Sequence, residues 1–239
     1  MTVAIARADN NPMAFHSSAR QTALLELYTS EGCSSCPPAE TWLSRFVESP
    51  RLWQDFVPVA FHVDYWDYLG WRDPWGSAQF SERQHNYGAA WHSRKIYTPE
   101  FVLNGKEWRN WRGQDVPKSP ITNIGVLSAS STDTNSWIVR FKPTPSGQTN
   151  YQAHVAWLVS NVKSSVKAGE NEGLTLKHDF VALTFAEAPM KHQSDEVVCA
   201  LNLPVPPKVF SGRLALAVWI TELGQLEPIQ STGGWVTHP

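Results

Sequence analysis

Residues 24 to 43, LLELYTSEGCSSCPPAETWL, join a short apolar run, a turn, two cysteines and the start of a helix. Leu24 to Tyr28 has the length and apolar character of a buried strand, and Thr29 to Gly32 is turn-forming. Pro37-Pro38 stands where a helix tolerates proline, because its first amides have no partner within the helix. The stretch therefore predicts a buried strand that leads through a cysteine-bearing turn into a helix.

The two cysteines have the spacing of a redox pair, with Ser34 and Ser35 between Cys33 and Cys36. Residues three apart in a helical turn share one face, close enough for a disulfide. The positive end of the helix would also stabilise a thiolate and lower its pKa. We therefore expect Cys33 to be the exposed nucleophile and Cys36 the resolving thiol, with the disulfide itself as the only redox group and no separate cofactor.

Other interpretations of the cysteine pair remain open at this point. A CxxC sequence also begins zinc sites, but zinc usually needs a second pair of ligands, and Cys199 stands alone. His85 and His92 are two helical turns apart, too far to reach one ion together with the cysteines. We expect no metal, and we expect Cys199 to be an inert core thiol. The pair could also have lost its redox use.

Composition and charge argue against nucleic acid and membranes as partners. The chain has 239 residues, 42% of them hydrophobic and 18% charged, with a net charge of −2. This charge gives no electrostatic reason to expect nucleic acid or an anionic membrane as a partner. No stretch approaches the ~20 apolar residues of a membrane-spanning helix.

The first nineteen residues are predicted to be a flexible leader. They lack an apolar core long enough for a secretion signal. However, Ala6-Arg7-Ala8 has the small-x-small form of a cleavage site, so Val3 to Ala8 could end a signal whose start lies upstream. A disordered polar leader explains the same residues equally well.

Residues 20–130 are expected to form an α/β domain. A second strand, Phe56 to Val63, follows the first helix, and a strand–helix–strand unit of this size implies parallel pairing with a right-handed crossover. A second helix should begin at Asp73-Pro74 and end near Trp91. Thr98-Pro99 precedes another strand, Asn104-Gly105 predicts a hairpin turn, and Pro120 to Ala129 is expected to be a closing helix.

Residues 131–239 have a different pattern. Short alternating apolar segments are separated by turn clusters, and none has the periodicity of an amphipathic helix. This pattern predicts an antiparallel β-rich, sandwich-like domain.

Four side chains after the second strand are candidate modulators or contacts of the cysteine pair. The carboxyl ends of parallel strands share one sheet edge, so the loop from His62 to Trp71 should lie over the cysteine turn. His62 and Asp64 could then tune the thiols or relay a proton, or they could only order the loop. Trp66 and Trp71 could contact substrate, or they could pack beneath the loop.

The order of elements from Gln21 to Ala129 resembles the thioredoxin fold. Two motifs carry the resemblance, Cys33-Ser34-Ser35-Cys36 at a helix start and Thr98-Pro99 before a strand. The resemblance implies that the Thr98–Pro99 bond is cis, that Pro99 lies against the cysteine pair, and that the backbone of Thr98 pairs with an extended substrate segment.

Four longer stretches, ELYTSEGCSSCPPAE, HVDYWDYLGW, YTPEFVLNG and AGENEG, resemble a bacterial family, domain of unknown function 1223. This resemblance implies a thioredoxin-like domain plus a β-rich domain, often in exported proteins, and it supplies no reaction. A periplasmic or secreted location is therefore an expectation from the family, although no complete signal peptide is visible.

The sequence therefore favours a thiol–disulfide oxidoreductase that acts through Cys33 and Cys36 on a protein or small-thiol substrate. A partner reductase or oxidase could act with it. The first alternative is a non-catalytic peptide-binding module with a structural disulfide. A metal-handling protein that uses Cys33 and Cys36 is the second.

Overall fold

The computed structural model describes residues 13–119, 122–131, 135–146, 149–204, 206 and 212–236. Two α-helices lie in this part of the chain, α1 (Pro37–Ser44) and α2 (Ala78–Ala90), with short 3-10 helices at Asp67–Leu69 and Arg109–Trp111. The strands are β1 (Met13–His16), β2 (Ala23–Thr29), β3 (Phe56–His62), β4 (Glu100–Leu103), β5 (Lys106–Glu107), β6 (Gly125–Ser131), β7 (Ser136–Pro143), β8 (Tyr151–Ser160), β9 (Val162–Ser165), β10 (Thr175–His178), β11 (Val181–Pro189), β12 (Lys191–Gln193), β13 (Glu196–Asn202), β14 (Arg213–Glu222) and β15 (Pro228–Trp235).

An eight-stranded mixed sheet forms the centre of the molecule. Its strand order is β15-β14-β8-β11-β3-β2-β4-β5. Strands β2 and β3 are parallel, and every residue of both is buried, as their continuous apolar sequences require of strands covered on both faces. On its other side β3 meets β11 at one parallel pair, Val181 with Ala60. Strands from both halves of the chain therefore share one sheet.

A five-stranded antiparallel sheet packs on part of this larger sheet. Its order is β1-β6-β7-β13-β12, and β6 alternates buried and more exposed residues, as a strand with one covered face should. Leu127 of β6 and Val139 of β7 share a buried core with Val155 of β8 and Val218 of β14. Because these residues come from both sheets, the two sheets form a sandwich at this end. A separate two-stranded sheet joins β9 and β10.

The two helices cover the part of the large sheet that carries β2 and β3. Helix α1 buries Trp42, whose ring lies 5.0 Å from that of Phe101 and 5.8 Å from that of Trp111, centre to centre. Helix α2 begins after Ser77, whose hydroxyl caps it by accepting a hydrogen bond from the amide of Gln79. The helix expected at Asp73-Pro74 therefore begins a few residues later than its sequence suggested.

The predicted fold class, an α/β thioredoxin-like domain followed by a separate antiparallel β-rich, sandwich-like domain, is wrong. The described residues are mostly strand with two α-helices, and the eight-stranded sheet crosses the expected boundary between residues 130 and 131. Two features cause the difference. Strand β3 needs a second neighbour and finds it in β11. In place of the closing helix expected at 120–129, the chain forms strand β6 from Gly125 onward, and β6 pairs with β1 and β7.

The expected leader, residues 1–19, is described only from residue 13, and residues 1–12 lie outside the described part. Met13–His16 forms β1, which pairs with β6. Among the described residues, no helix is both long and apolar enough to cross a membrane.

Candidate functional site

The cysteine turn links the end of β2 to helix α1. The Cys33 amide donates to the Ser30 carbonyl at 3.2 Å, and the Cys36 amide donates to the Cys33 carbonyl at the same distance. Cys36 is the N-cap residue of α1, and the two prolines follow in its first turn. The sequence-based placement of the pair, after a buried strand and immediately before a helix, is confirmed.

Both thiols are buried, so the prediction of an exposed Cys33 is wrong. Cys33 is 1% exposed and Cys36 is 0% exposed. The reason is a loop between β9 and β10, residues 166–174, which we call the strap. Glu170 of the strap accepts hydrogen bonds from the Ser34 amide and hydroxyl, at 2.9 and 2.7 Å. Asn171 donates from its side-chain amide to the backbone carbonyls of Glu31 and Cys33, at 2.8 and 2.9 Å.

The two thiols differ strongly in acidity. A hydrogen bond from the Cys36 thiol lowers the pKa of Cys33 to about 6, with help from the side chains of Ser35 and Thr98 and against the opposing effect of burial. The Sγ atom of Cys33 lies 3.2 Å from the Ser35 hydroxyl. Burial raises the pKa of Cys36 well above its ordinary value. At neutral pH, Cys33 is the thiol of this pair that can act as a nucleophile.

Thr98 and Pro99 border the cysteine turn. The Thr98–Pro99 peptide bond is cis, which confirms the prediction made from the sequence resemblance. The Cys33 thiol donates to the Thr98 carbonyl at 3.7 Å, and the Ser35 hydroxyl donates to the same oxygen at 3.4 Å. Pro99 and Ser35 line a cavity of about 250 Å³. The Thr98 backbone, which was expected to pair with substrate, therefore bonds through its carbonyl to the cysteine turn itself.

The loop after β3 lies over the cysteine edge, as predicted. The Trp66 indole donates to the Thr98 hydroxyl at 2.8 Å, and the Trp71 indole donates to the Glu31 carboxylate at 2.7 Å. A side chain on Gly32 would place a carbon 2.8 Å from the Cβ of Trp66, so the close approach of loop and turn requires glycine there. Both tryptophans are half-buried, and each bonds to a side chain that borders the cysteine turn.

His62 and Asp64, the two proposed modulators, face different surroundings. Asp64 accepts a hydrogen bond from the Ser81 hydroxyl at 2.5 Å and so connects the loop to helix α2. His62 is fully buried, and its Nδ1 lies 2.8 Å from Asp73 Oδ2. Asp73 Oδ2 also accepts the Glu31 amide at 2.8 Å. His62 therefore lies close behind the cysteine turn, whereas Asp64 belongs to the junction with α2.

His62 belongs to a larger buried group that we call the histidine cluster, formed by Glu31, Glu40, His62, Asp73 and His178. His178 bonds through Nε2 to Glu31 at 2.9 Å and through Nδ1 to Glu40. Burial alone would lower the pKa of His178, but the charge of Glu40 and hydrogen bonds to both glutamates raise it to about 10. The same ion pair lowers the pKa of Glu40 despite its burial, and His62 likewise lowers that of Asp73.

The histidine cluster is connected to the cysteine helix. Glu40 lies one turn after Cys36, and its amide donates to the Cys36 carbonyl at 3.2 Å. Its carboxylate accepts the Thr29 hydroxyl at 2.7 Å. The sequence analysis missed Glu40, Glu31, Asn171 and His178 as neighbours of the site. The available signal was AGENEG, which contains Glu170 and Asn171 and which entered only as a marker of family resemblance.

Cys199 lies away from this site. It belongs to β13, in the five-stranded sheet, and burial raises its pKa to about 11. Its surroundings are those of a core thiol, as predicted.

Comparison with solved structures supports the fold. Protein AGR_C_4864 from Agrobacterium tumefaciens matches with a TM-score of 0.63 and 23% identity, over 91% of this chain and 94% of that one. HBP35 of Porphyromonas gingivalis matches with a TM-score of 0.57 and 10% identity, over 91% of this chain and 76% of that one. At these identities the likeness shows the fold alone. No curated protein matches the chain.

A family model also matches most of the sequence. Residues 24–221 match the model described as "Protein of unknown function (DUF1223)". This range begins at β2, contains the cysteine turn, the histidine cluster and the strap, and ends within β14. The chain belongs to the DUF1223 family.

Proposed function

We propose that the protein is a thiol–disulfide oxidoreductase in which Cys33 is the nucleophile and Cys36 the resolving thiol. The observation that supports this most directly is the asymmetry of the pair. The hydrogen bond from Cys36 lowers the pKa of Cys33 to about 6, whereas burial raises the pKa of Cys36. A thiolate available at neutral pH beside a protonated partner is what the first step of disulfide exchange requires.

The reaction has two steps. The Cys33 thiolate attacks one sulfur of a substrate disulfide, the substrate S–S bond breaks, and the leaving thiolate takes up a proton. Cys36 then loses its proton and attacks Cys33 Sγ, which breaks the mixed disulfide and releases the second substrate thiol. Two electrons pass to the substrate as the Cys33–Cys36 disulfide forms. The reverse sequence oxidises a dithiol.

The geometry limits how a substrate could approach. Cys33 is buried beneath the strap, but Ser35 and Pro99 open onto the cavity of about 250 Å³, whose lining also includes Tyr97 and Trp108. This space suits a small thiol or one extended peptide side chain. A larger protein substrate would need Glu170 and Asn171 to release the cysteine turn.

The first test is a brief pulse of iodoacetamide on the reduced protein, at pH values from below 6 up to the ordinary thiol range, followed by mass mapping. We expect Cys33 to be labelled first, with a rate that reaches half its plateau near pH 6 and falls as the pH drops below it. Cys199, whose pKa is raised to about 11, serves as the internal control and should react far more slowly. Dominant labelling of Cys199 would refute the assignment of the nucleophile.

Turnover requires a separate measurement. A glutathione series gives the reduction potential of the pair, and a Cys36→Ser variant should accumulate the mixed disulfide at Cys33 because the resolving step is blocked. The matched Cys199→Ser variant should resolve it normally. If the wild-type protein completes no exchange with glutathione disulfide or a peptide disulfide, the oxidoreductase proposal fails.

One observation favours a second function, a non-catalytic peptide-binding module whose disulfide is structural. The strap buries both thiols, and buried pairs resist both reduction and exchange. This alternative predicts an oxidised pair that persists in reducing buffer while peptide binding continues. The oxidoreductase proposal predicts reduction and turnover under the same conditions.

A further inference from the structure

The histidine cluster contains a ligand set that the cysteine chemistry does not use. One carboxylate oxygen of Glu40 and one nitrogen each of His62 and His178 lie within 4.8 Å of one another, and all three residues are buried. We propose that Glu40, His62 and His178 bind one divalent transition-metal ion, with zinc as the best fit. Two imidazoles and a carboxylate are ligands that zinc commonly takes, with a fourth position for a small ligand such as water.

His62 provides the strongest reason to expect an ion. Its Nδ1 faces the Asp73 carboxylate, which can only accept a hydrogen bond when ionised, so the proton resides on Nδ1. In the neutral ring, Nε2 then carries a lone pair. That atom is buried and has no hydrogen-bond partner among the described residues. An unused buried lone pair costs free energy unless something binds it, and a metal ion would do so.

The surroundings of both imidazoles fit metal binding. Metal-ligating histidines usually donate their second ring N–H to a carboxylate, which fixes the ring and its tautomer. Asp73 stands in that position for His62 at 2.8 Å, and Glu31 stands there for His178, whose Nε2 lies 2.9 Å away. Asp73 is itself held by the Glu31 amide, so these outer carboxylates are well anchored.

Charge balance points the same way. With Glu31, Glu40 and Asp73 ionised, the cluster brings three negative charges into the interior beside two imidazoles. A divalent ion would replace the proton between His178 Nδ1 and Glu40 and leave both rings neutral, so it would bring more positive charge than the proton it displaces. Since unbalanced buried charge is costly, the exchange is favourable.

The required movement is small. Bonds of about 2.0–2.2 Å to a tetrahedral zinc place the ligand atoms about 3.3 Å apart. Atoms now up to 4.8 Å apart would close by about 1.5 Å at most, while His178 Nδ1 and the Glu40 oxygen, now in hydrogen-bond contact, would separate to the zinc-ligand spacing. The ion would join helix α1, the end of β3 and the end of β10, which are far apart in the chain. We therefore infer a structural role, in which the metal holds the base of the cysteine helix against β10.

Metal analysis of the full chain tests the proposal. Protein purified without chelators or an affinity tag that binds metals is analysed by mass spectrometry for its metals. It is then stripped, reloaded separately with zinc, cobalt, iron(II), manganese or copper, and passed through a gel-filtration column. We expect one tightly held ion per chain, with zinc retained best, and a higher melting temperature for loaded than for stripped protein. No retained ion after any reloading would overturn the proposal.

Variants locate the ion. His62→Gln and His178→Gln should lose it, whereas His85→Gln, at an exposed histidine on α2, should keep it. The double variant Cys33→Ser/Cys36→Ser should also keep it while losing any exchange activity, so the metal site and the proposed function can fail independently. Retention by the His62 and His178 variants, or loss by the cysteine variant, would place the ion elsewhere and refute the site.

Cobalt-loaded wild-type protein decides the matter if the histidine variants do not fold. Nitrogen and oxygen ligands give ligand-field bands without the intense near-ultraviolet charge-transfer absorption of a cobalt–thiolate bond. Bands of the first kind support the site. A thiolate charge-transfer band would assign the ion to the cysteine pair and overturn the proposal.

Discussion

Two buried groups of charged side chains lie beside β2, and they differ in completeness. The β2–α2 cluster consists of Glu26, Arg83, Gln84, Tyr87 and Glu100. In it, the Glu26 carboxylate accepts Arg83 Nε at 2.7 Å and the Tyr87 hydroxyl at 2.5 Å. None of its five side chains has an unpartnered buried atom in the part of the chain that the structure describes, whereas His62 of the histidine cluster has one. The histidine cluster therefore has a buried atom left to bind a ligand, and the β2–α2 cluster has none among its five described side chains.

The two clusters also differ in what covers them. Helix α2 contributes Arg83, Gln84 and Tyr87 to the β2–α2 cluster and covers it with hydrogen-bonded backbone. The strap, a loop, reaches the histidine cluster and the cysteine turn through side-chain hydrogen bonds of Asn171 and Glu170. Loops open at lower free energy than helices packed on a core. Access to the cysteines should therefore depend on the strap.

The largest effect is expected from Arg83→Met in the closed cluster. The change leaves the Glu26 carboxylate buried without its cation and removes a guanidinium 5.2 Å from the centre of the Trp219 ring. We expect the free energy of unfolding to fall by about 3–5 kcal/mol, since one partner of a buried ion pair is lost. Urea denaturation measures it. The loss should be equal in metal-loaded and metal-stripped protein, because none of the three proposed metal ligands belongs to this cluster.

Two control variants sharpen this result. Arg140→Met removes a half-exposed partner of Glu196, 3.6 Å away, and should cost much less. Glu26→Gln/Arg83→Met removes both charges and should be more stable than Arg83→Met alone. If Arg83→Met costs no more than Arg140→Met, the β2–α2 cluster is not the closed structural unit described here.

An intermediate effect is expected from Asn171→Ala in the strap. Asn171 is 3% exposed, and its two hydrogen bonds hold the backbone of Glu31 and Cys33. Losing them should lower the free energy of unfolding by about 1–3 kcal/mol, because the Glu31 carbonyl loses its Asn171 donor while the Cys33 carbonyl keeps only the Cys36 amide. It should also raise the rate at which iodoacetamide labels Cys33. Glu172→Ala, at the exposed neighbouring residue, is the control and should change neither quantity.

The opposite outcome is equally informative. If Asn171→Ala lowers stability but leaves the labelling rate of Cys33 unchanged, reagents reach the thiol through the cavity beside Pro99 without any opening of the strap. The strap would then have a structural role only. The difference between a loop cover and a helix cover would no longer explain how reagents reach Cys33.

Local features of the cysteine site could be predicted from the sequence, because each depends on neighbouring residues. The placement of Cys33 and Cys36 before a helix follows from the strand, turn and double proline. The cis bond at Thr98–Pro99 followed from a sequence resemblance. The position of the Trp66 loop over the cysteine turn followed from the topology of two parallel strands, and the structure agrees.

The overall fold could not be predicted in the same way, because it depends on pairing between distant strands. The apolar sequence of β3 predicts that both of its faces are covered, but it does not show that β11 supplies the second neighbour. The same holds for the histidine cluster. Glu40 looks like an ordinary helical residue and His178 like a residue of an alternating strand until β10 brings them together.

The smallest effect is expected from Glu170→Gln, at the exposed end of the strap. The Glu170 carboxylate accepts the Ser34 amide and hydroxyl, and these hydrogen bonds lower its pKa. Its contribution is therefore present at neutral pH and is lost as the pH falls through the lowered value. Glutamine keeps an acceptor oxygen but no charge, so the labelling rate of Cys33 at neutral pH should rise about twofold, less than in Asn171→Ala. High salt should weaken the wild-type contact, because exposed charges are screened, and so reduce the difference in Cys33 labelling rate between wild type and Glu170→Gln. If Glu170→Gln instead exposed Cys33 more than Asn171→Ala does, surface charge rather than buried hydrogen bonds would hold the strap closed. The strap over the histidine cluster and the cysteine turn would then be held by a surface contact that low pH or high salt can break. Helix α2 over the β2–α2 cluster has no such dependence on one surface charge.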